Sequence, residues 1–216
     1  MTAEEPPEAT PQGKVLTALN WAYEKTLMGF PGLDSAEEMA SEYTRGTDTL
    51  NEQVNSLIRW QVTKAGTSGF LSGLGGLIVL PVTIPANVAS VMYVQVRMIA
   101  AIAIMGGHNV KDDRVRSLVY ACLTGNAIKD ILKDAGLVVG MKIGAKAIEN
   151  IAGKTIVAIN QKIGFRLLTK FGEKGVVNMG KMVPILGGII GGTIDASTTN
   201  IIGNVARNTF IDGVVK

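Results

Sequence analysis

The chain has few of the residues that site chemistry usually needs. Its 216 residues include one cysteine and one histidine. A single cysteine excludes an internal disulfide and any cysteine-rich metal set. A lone histidine leaves no second imidazole for a zinc site. Aromatic residues make up 5% of the chain. Both tryptophans, Trp21 and Trp60, lie in its acidic half, so the basic segments lack the interleaved aromatics of a nucleic-acid binder. Charged residues are 18%, low against the usual figure of about a quarter. The first residues also lack the basic and apolar regions of a secretory signal. The N-terminus, MTAEEPPEATPQ, is acidic and proline-rich, which predicts a disordered tail over residues 1–13 and a chain that stays on the cytoplasmic side.

One further absence frames the rest. From Ala65 to Val110 the only formal charge is Arg97, yet the stretch is not a simple membrane span. A spanning helix needs about 20 predominantly apolar residues in succession. Gly73, Gly75, Gly76, Pro81 and Pro85 divide this run into two pieces. The sequence therefore describes either a soluble bundle with a very apolar centre or a protein that meets a membrane without plainly crossing it.

The hydrophobic spacing is helical throughout, and no period-two pattern points to strands. Helices are predicted from Lys14 to Met28, and from Asp34 or Ser35 to about Lys64, with Glu37 and Glu38 in the first turn. Further helices are expected over 66–80, 86–105 (ending at Gly106-Gly107), 112–123, 126–150, 155–171 and 184–210. The expected fold is all-α: a compact, single-domain bundle of six to eight helices with a Gly-rich apolar centre, spanning residues 14–216. Gly136, Gly140 and Gly144, at four-residue spacing, would share one face of the 126–150 helix. Gly69 and Gly73, and Gly188, Gly192 and Ala196, repeat the device. Small residues so spaced allow helices to approach closely, in lipid or in a tight soluble core.

Charge is divided unevenly. Residues 1–110 carry six Lys/Arg and ten Asp/Glu, a net of −4; residues 111–216 carry fifteen and eight, a net of +7. Lys142, Lys146, Lys162, Arg166 and Lys170 recur at four-residue steps on two helices. They form either solvated faces or a surface for anionic lipid. Arg97 lies mid-helix in an apolar segment, where a guanidinium must be paired or wet. Asp195 is the candidate partner. With Gln95 and Thr199 they make either a structural pair between two central helices or a site for an anionic head group.

Catalysis has little support. His108 follows Gly106-Gly107 and reads as a cap or a surface residue. Cys122, in the apolar run LVYACL, reads as a buried inert thiol. Asp130 and Asp134 have Lys129 and Lys133 beside them as salt-bridge partners. Neither glycine cluster has the context of a nucleotide loop. No catalytic residue, metal site or cofactor is expected.

Several blocks then carry a family resemblance: AGTSGFLSGLGGLIVLPVTIPAN after Lys64, the Gln95-x-Arg97 step, Gly106-Gly107 followed by Asp112, GFRLLTKFGEKG from Gly164, and PILGGIIGGTIDASTTNIIGNVARNTF from Pro184. In order and spacing these resemble the bacterial EcsC protein family, from about residue 20 to the C-terminus. The family's namesake is encoded beside a two-component ABC exporter linked to protein secretion and processing. The resemblance implies an accessory protein at the cytoplasmic face of the membrane, with a membrane transporter subunit among its partners; the residues themselves add the expectation that it is non-enzymatic. It brings no catalytic residues. The alternative expectation is a soluble helical module that binds a lipid-like or other amphiphilic ligand, with Arg97 engaging an acidic head.

Overall fold

The computed structural model describes residues 11–29, 33–65, 86–137, 148–171 and 187–212, with side chains for 15–29, 33–64, 90–137, 148–167 and 196–212. Eight α-helices follow in order: α1 (Pro11–Met28), α2 (Ala36–Tyr43), α3 (Leu50–Ala65), α4 (Ala86–Met105), α5 (Asp113–Cys122), α6 (Ile128–Asp134), α7 (Gly153–Phe171) and α8 (Gly187–Phe210). A 3-10 turn, Gly125–Ala127, leads into α6. There is no β-strand among the described residues. The protein is all-α, as its hydrophobic spacing requires.

Every residue from Met92 to Ala103 is buried. A helix that is apolar on all sides must be surrounded, and α4 packs against α1, α2, α3, α5 and α8. The apolar surface of this segment is thus enclosed by other helices. Among the described residues no helix is long and apolar enough to cross a membrane. The companion segment expected as a helix over 66–80 lies outside the described residues.

Local signals set most boundaries. Pro11 opens α1, where its missing N–H costs nothing. Gly29 closes that helix with φ +78°. Ser35 caps α2 in a reciprocal box: its Oγ accepts from the Glu38 N–H at 3.1 Å, and Glu38 Oε2 accepts from the Ser35 N–H at 2.8 Å. Asp112 caps α5, accepting from the Arg114 N–H at 2.7 Å.

Two expected helices are interrupted. The helix predicted from residue 34 or 35 to 64 is split between α2 and α3. Thr44 Oγ1 turns back to donate to the Ala40 carbonyl at 3.0 Å. A second reciprocal cap then restarts the chain: Glu52 Oε2 accepts from the Thr49 N–H at 2.9 Å, and Thr49 Oγ1 accepts from the Glu52 N–H at 3.4 Å. The helix predicted over 126–150 ends at Asp134. Gly136 takes φ +83°, donating to the Lys133 carbonyl at 3.0 Å, while the Leu137 N–H reaches the Leu132 carbonyl at 2.9 Å. This is a Schellman stop, which favours glycine in the left-handed position. Gly136 is therefore a terminator, not the first step of a helical glycine ridge; Gly140 and Gly144, like Gly69 and Gly73, lie outside the described residues.

The close helix approach occurs elsewhere. At Gly203 in α8, a Cβ would sit 2.9 Å from both Ile58 Cγ1 and Ile58 Cγ2 on α3. At Gly106, a Cβ would collide with the main-chain oxygen of Phe210. These contacts seat α8 against α3 and against the end of α4.

Candidate functional site

The central helix carries polar groups that its neighbours must satisfy. Ser90, Tyr93, Gln95 and Arg97 are all buried. At about 100° per residue, Ser90, Tyr93 and Arg97 share one side of α4, and Gln95 points about 200° away from Arg97. The residues predicted to form one site are therefore divided. Gln95 Nε2 donates to Thr199 Oγ1 on α8 at 3.3 Å, so that pair is brought together. Arg97 leaves the opposite side of the helix, toward α2. Asp195 lies one turn before Thr199, and its side chain is outside the described residues.

Arg97 is 2% exposed. Its Nη1 donates to the Asp34 main-chain oxygen at 3.0 Å, and its guanidinium carbon lies 5.7 Å from the Tyr93 ring centroid. Its Nε has no hydrogen-bond partner, and no carboxylate comes within ion-pair distance among the described residues. Burial pushes its pKa down, with Tyr93 and Asp34 opposing; a guanidinium nonetheless keeps its proton. The capping box at Ser35 fixes the turn that aims the Asp34 carbonyl at Arg97.

A second cation shares this region. Lys64, in the last turn of α3, has its pKa lowered by burial and by the charge on Arg97. Its Nζ sits 5.3 Å over the Trp60 ring. Burial, helped by Glu42, raises the Tyr43 pKa to about 12, and burial raises that of Tyr93 as well. Both phenols remain protonated donors at neutral pH. Gln61, 1% exposed, donates only to Met39 Sδ at 3.9 Å and leaves its Oε1 unpartnered. Gln61 occupies the next position of the apolar stripe Val54, Leu57 and Ile58, and that position is the sequence signal for its burial.

The predicted basic surface is described only on α7. Ile159, Ile163 and Leu167 bury one side of that helix against α1, α5 and α6. The outer side exposes Lys154 and Gln161, together with two large apolar side chains, Val157 at 56% and Phe165 at 58% exposure, while Arg166 is exposed on the flank beside the buried face. Lys162 reaches across to Asp134 on α6 at 2.6 Å. That hydrogen bond and charge lower the Asp134 pKa, with Lys133 and Arg166 adding to the effect. Asp134 thus pairs with the helix opposite and not with the lysine next to it. Lys142 and Lys146 lie outside the described residues, as does the side chain of Lys170.

The two groups with most chemical potential serve structure. His108 is buried, with Nε2 3.1 Å from the Phe210 carbonyl oxygen and its ring edge-on to Phe210 at 5.3 Å. It ties the end of α4 to the end of α8: of the two expected places, cap or surface, the cap holds, with the His108 N–H donating to the Ala103 carbonyl at 3.0 Å. Cys122 is fully buried, and desolvation pushes its thiol up to about 12. A thiol so held is a poor nucleophile. Among the described residues no group of three or more His, Cys, Asp or Glu could hold a metal ion.

Comparison with known proteins gives one match. No curated protein and no solved structure matches the chain. The model of the EcsC protein family covers residues 12–211, nearly the whole sequence. The chain belongs to the EcsC protein family.

Proposed function

We propose that this protein is a non-enzymatic accessory protein that docks on anionic lipid at the cytoplasmic face of the membrane through the outer side of α7. The observation that carries this reading is Val157 and Phe165, more than half exposed, on the same helix side as Lys154 and next to Lys162 and Arg166. Apolar side chains rimmed by basic ones suit the boundary between head groups and acyl chains. The rings and methyls enter the apolar layer while the cations meet phosphate. The enclosed α4 supports a peripheral attachment over insertion of the central helix. The buried Cys122 and the structural use of His108 support a role without catalysis. A transporter subunit at the same membrane is a fitting partner, as the family's exporter-linked namesake suggests.

The reading is tested by sedimentation with phosphatidylglycerol vesicles. Reversing Lys154 and Arg166 to Glu, and separately replacing Val157 and Phe165 with Ser, should each weaken binding without altering the helical circular dichroism. Unchanged binding in both variants removes α7 from the interface.

A further inference from the structure

Arg97 is a buried cation with no ion pair among the described residues. It is 2% exposed, its Nη1 donates to the neutral Asp34 carbonyl, and its Nε has no partner. Buried charges in folded proteins are ordinarily paired with an opposite charge or bound to an ion. The acids of this region, Asp34 and Glu42, are both exposed, and neither forms an ion pair with Arg97. Lys64, half-buried in the last turn of α3 with its Nζ 5.3 Å over the Trp60 ring, feels the charge on Arg97, with Glu42 and Asp34 opposing. Two phenols complete the surroundings: Tyr93, over whose ring the guanidinium sits, and Tyr43 at the end of α2.

The geometry points to an oxyanion site built on Arg97 at the junction of α2, α3 and α4, which takes a phosphate or carboxylate group with Lys64 as the second cation. A guanidinium presents a planar fork of donors that matches the paired oxygens of such groups. An oxyanion accepts the Nε proton that the protein leaves unused. Tyr93 and Tyr43, protonated by virtue of their burial, add donors and no competing negative charge. The oxyanion has two possible sources, the head of a lipid or a soluble anion, and both present the same oxygens. The site stands apart from the proposed docking face on α7.

Thermal unfolding of the full chain tests the assignment. The probes are inorganic phosphate and dihexanoyl phosphatidic acid below its micelle concentration, with sodium chloride at matched ionic strength as the control. The wild-type protein should show a saturable rise in Tm beyond the chloride control, about 5–10 °C at roughly one hundred times the probe's Kd. A rise with phosphate identifies a soluble oxyanion as sufficient. A rise with phosphatidic acid alone identifies a lipid head. Arg97→Gln should abolish the rise. Lys64→Gln, at the half-buried edge, should raise the apparent Kd about tenfold and covers the case in which Arg97→Gln does not fold. No response to either probe beyond chloride overturns the proposal, and so does an unaltered response in Lys64→Gln or in folded Arg97→Gln. A monomeric short-chain lipid offers no membrane surface, so the result is independent of docking through α7.

Discussion

Arg97 Nη1 donates to the Asp34 main-chain oxygen at 3.0 Å, so the one charge on the buried stretch of α4 is tied to the turn before α2 by a neutral acceptor. A carbonyl dipole compensates a desolvated cation only in part. Replacing a buried ion with an apolar side chain of similar size is often neutral or stabilising, by about 1–4 kcal/mol. Arg97→Met should therefore raise stability in anion-free buffer, measured as a higher urea midpoint. Arg97→Ala, which leaves a cavity, should lower it by about 2–5 kcal/mol.

Gly203 and Ile58 make a second test of packing. A Cβ 2.9 Å from two Ile58 carbons must displace them. Gly203→Val should cost about 1–3 kcal/mol by overpacking, and Ile58→Ala in the same chain should recover part of that. Gly106→Ala meets the main chain of Phe210 instead. Its cost should persist whatever side chain is trimmed nearby. Denaturant midpoints of the single and double variants decide both points.

Much of this arrangement was legible in the sequence. The all-α class, the α4 boundaries and the cap at Ser35 follow from periodicity and from residue types that satisfy helix ends. The helix breaks were less visible because each depends on a local competition. Thr49 with Glu52 is itself a capping signature, but it sits inside a continuous apolar stripe. Gly136 can serve a ridge or a stop, and only the path of the chain after Leu137 decides. The Arg97 surroundings were legible in need but not in partner. A mid-helix arginine demands an acceptor, yet a main-chain oxygen at Asp34 carries no sequence signal. Placing Gln95 beside Arg97 was an error of helical angle: two residues apart means opposite sides.

Cys122 supplies a chemical probe of the core. Its thiol pKa is raised from 9.0 to about 12 by burial, so the folded state holds a proton that the unfolded chain releases. The associated stability is present below about pH 9 and is lost as pH rises toward 12. Burial raises Tyr23 and Tyr120 too, so both act in the same direction above pH 10. The urea midpoint should fall steadily above pH 9. Iodoacetamide should label Cys122 only at the rate of unfolding; rapid labelling of native protein would contradict its placement.

The Lys162–Asp134 bridge sets the charge available to a membrane. Asp134 neutralises part of the basic flank of α7 at 2.6 Å. Asp134→Asn should strengthen binding to anionic vesicles about fivefold, the effect of one added basic charge near such a surface, while the melting temperature changes little. A loss of binding in this variant would mean that α6 and α7 do not face lipid together.

Vesicle flotation distinguishes peripheral docking of this protein from insertion and from no membrane contact. Wild-type protein is mixed with vesicles of phosphatidylglycerol or of phosphatidylcholine, at low and high salt, and followed through a density gradient. The account predicts flotation with phosphatidylglycerol only, weakened by salt as screened charge attraction requires. Salt-resistant flotation with both lipids, or none with either, would contradict it.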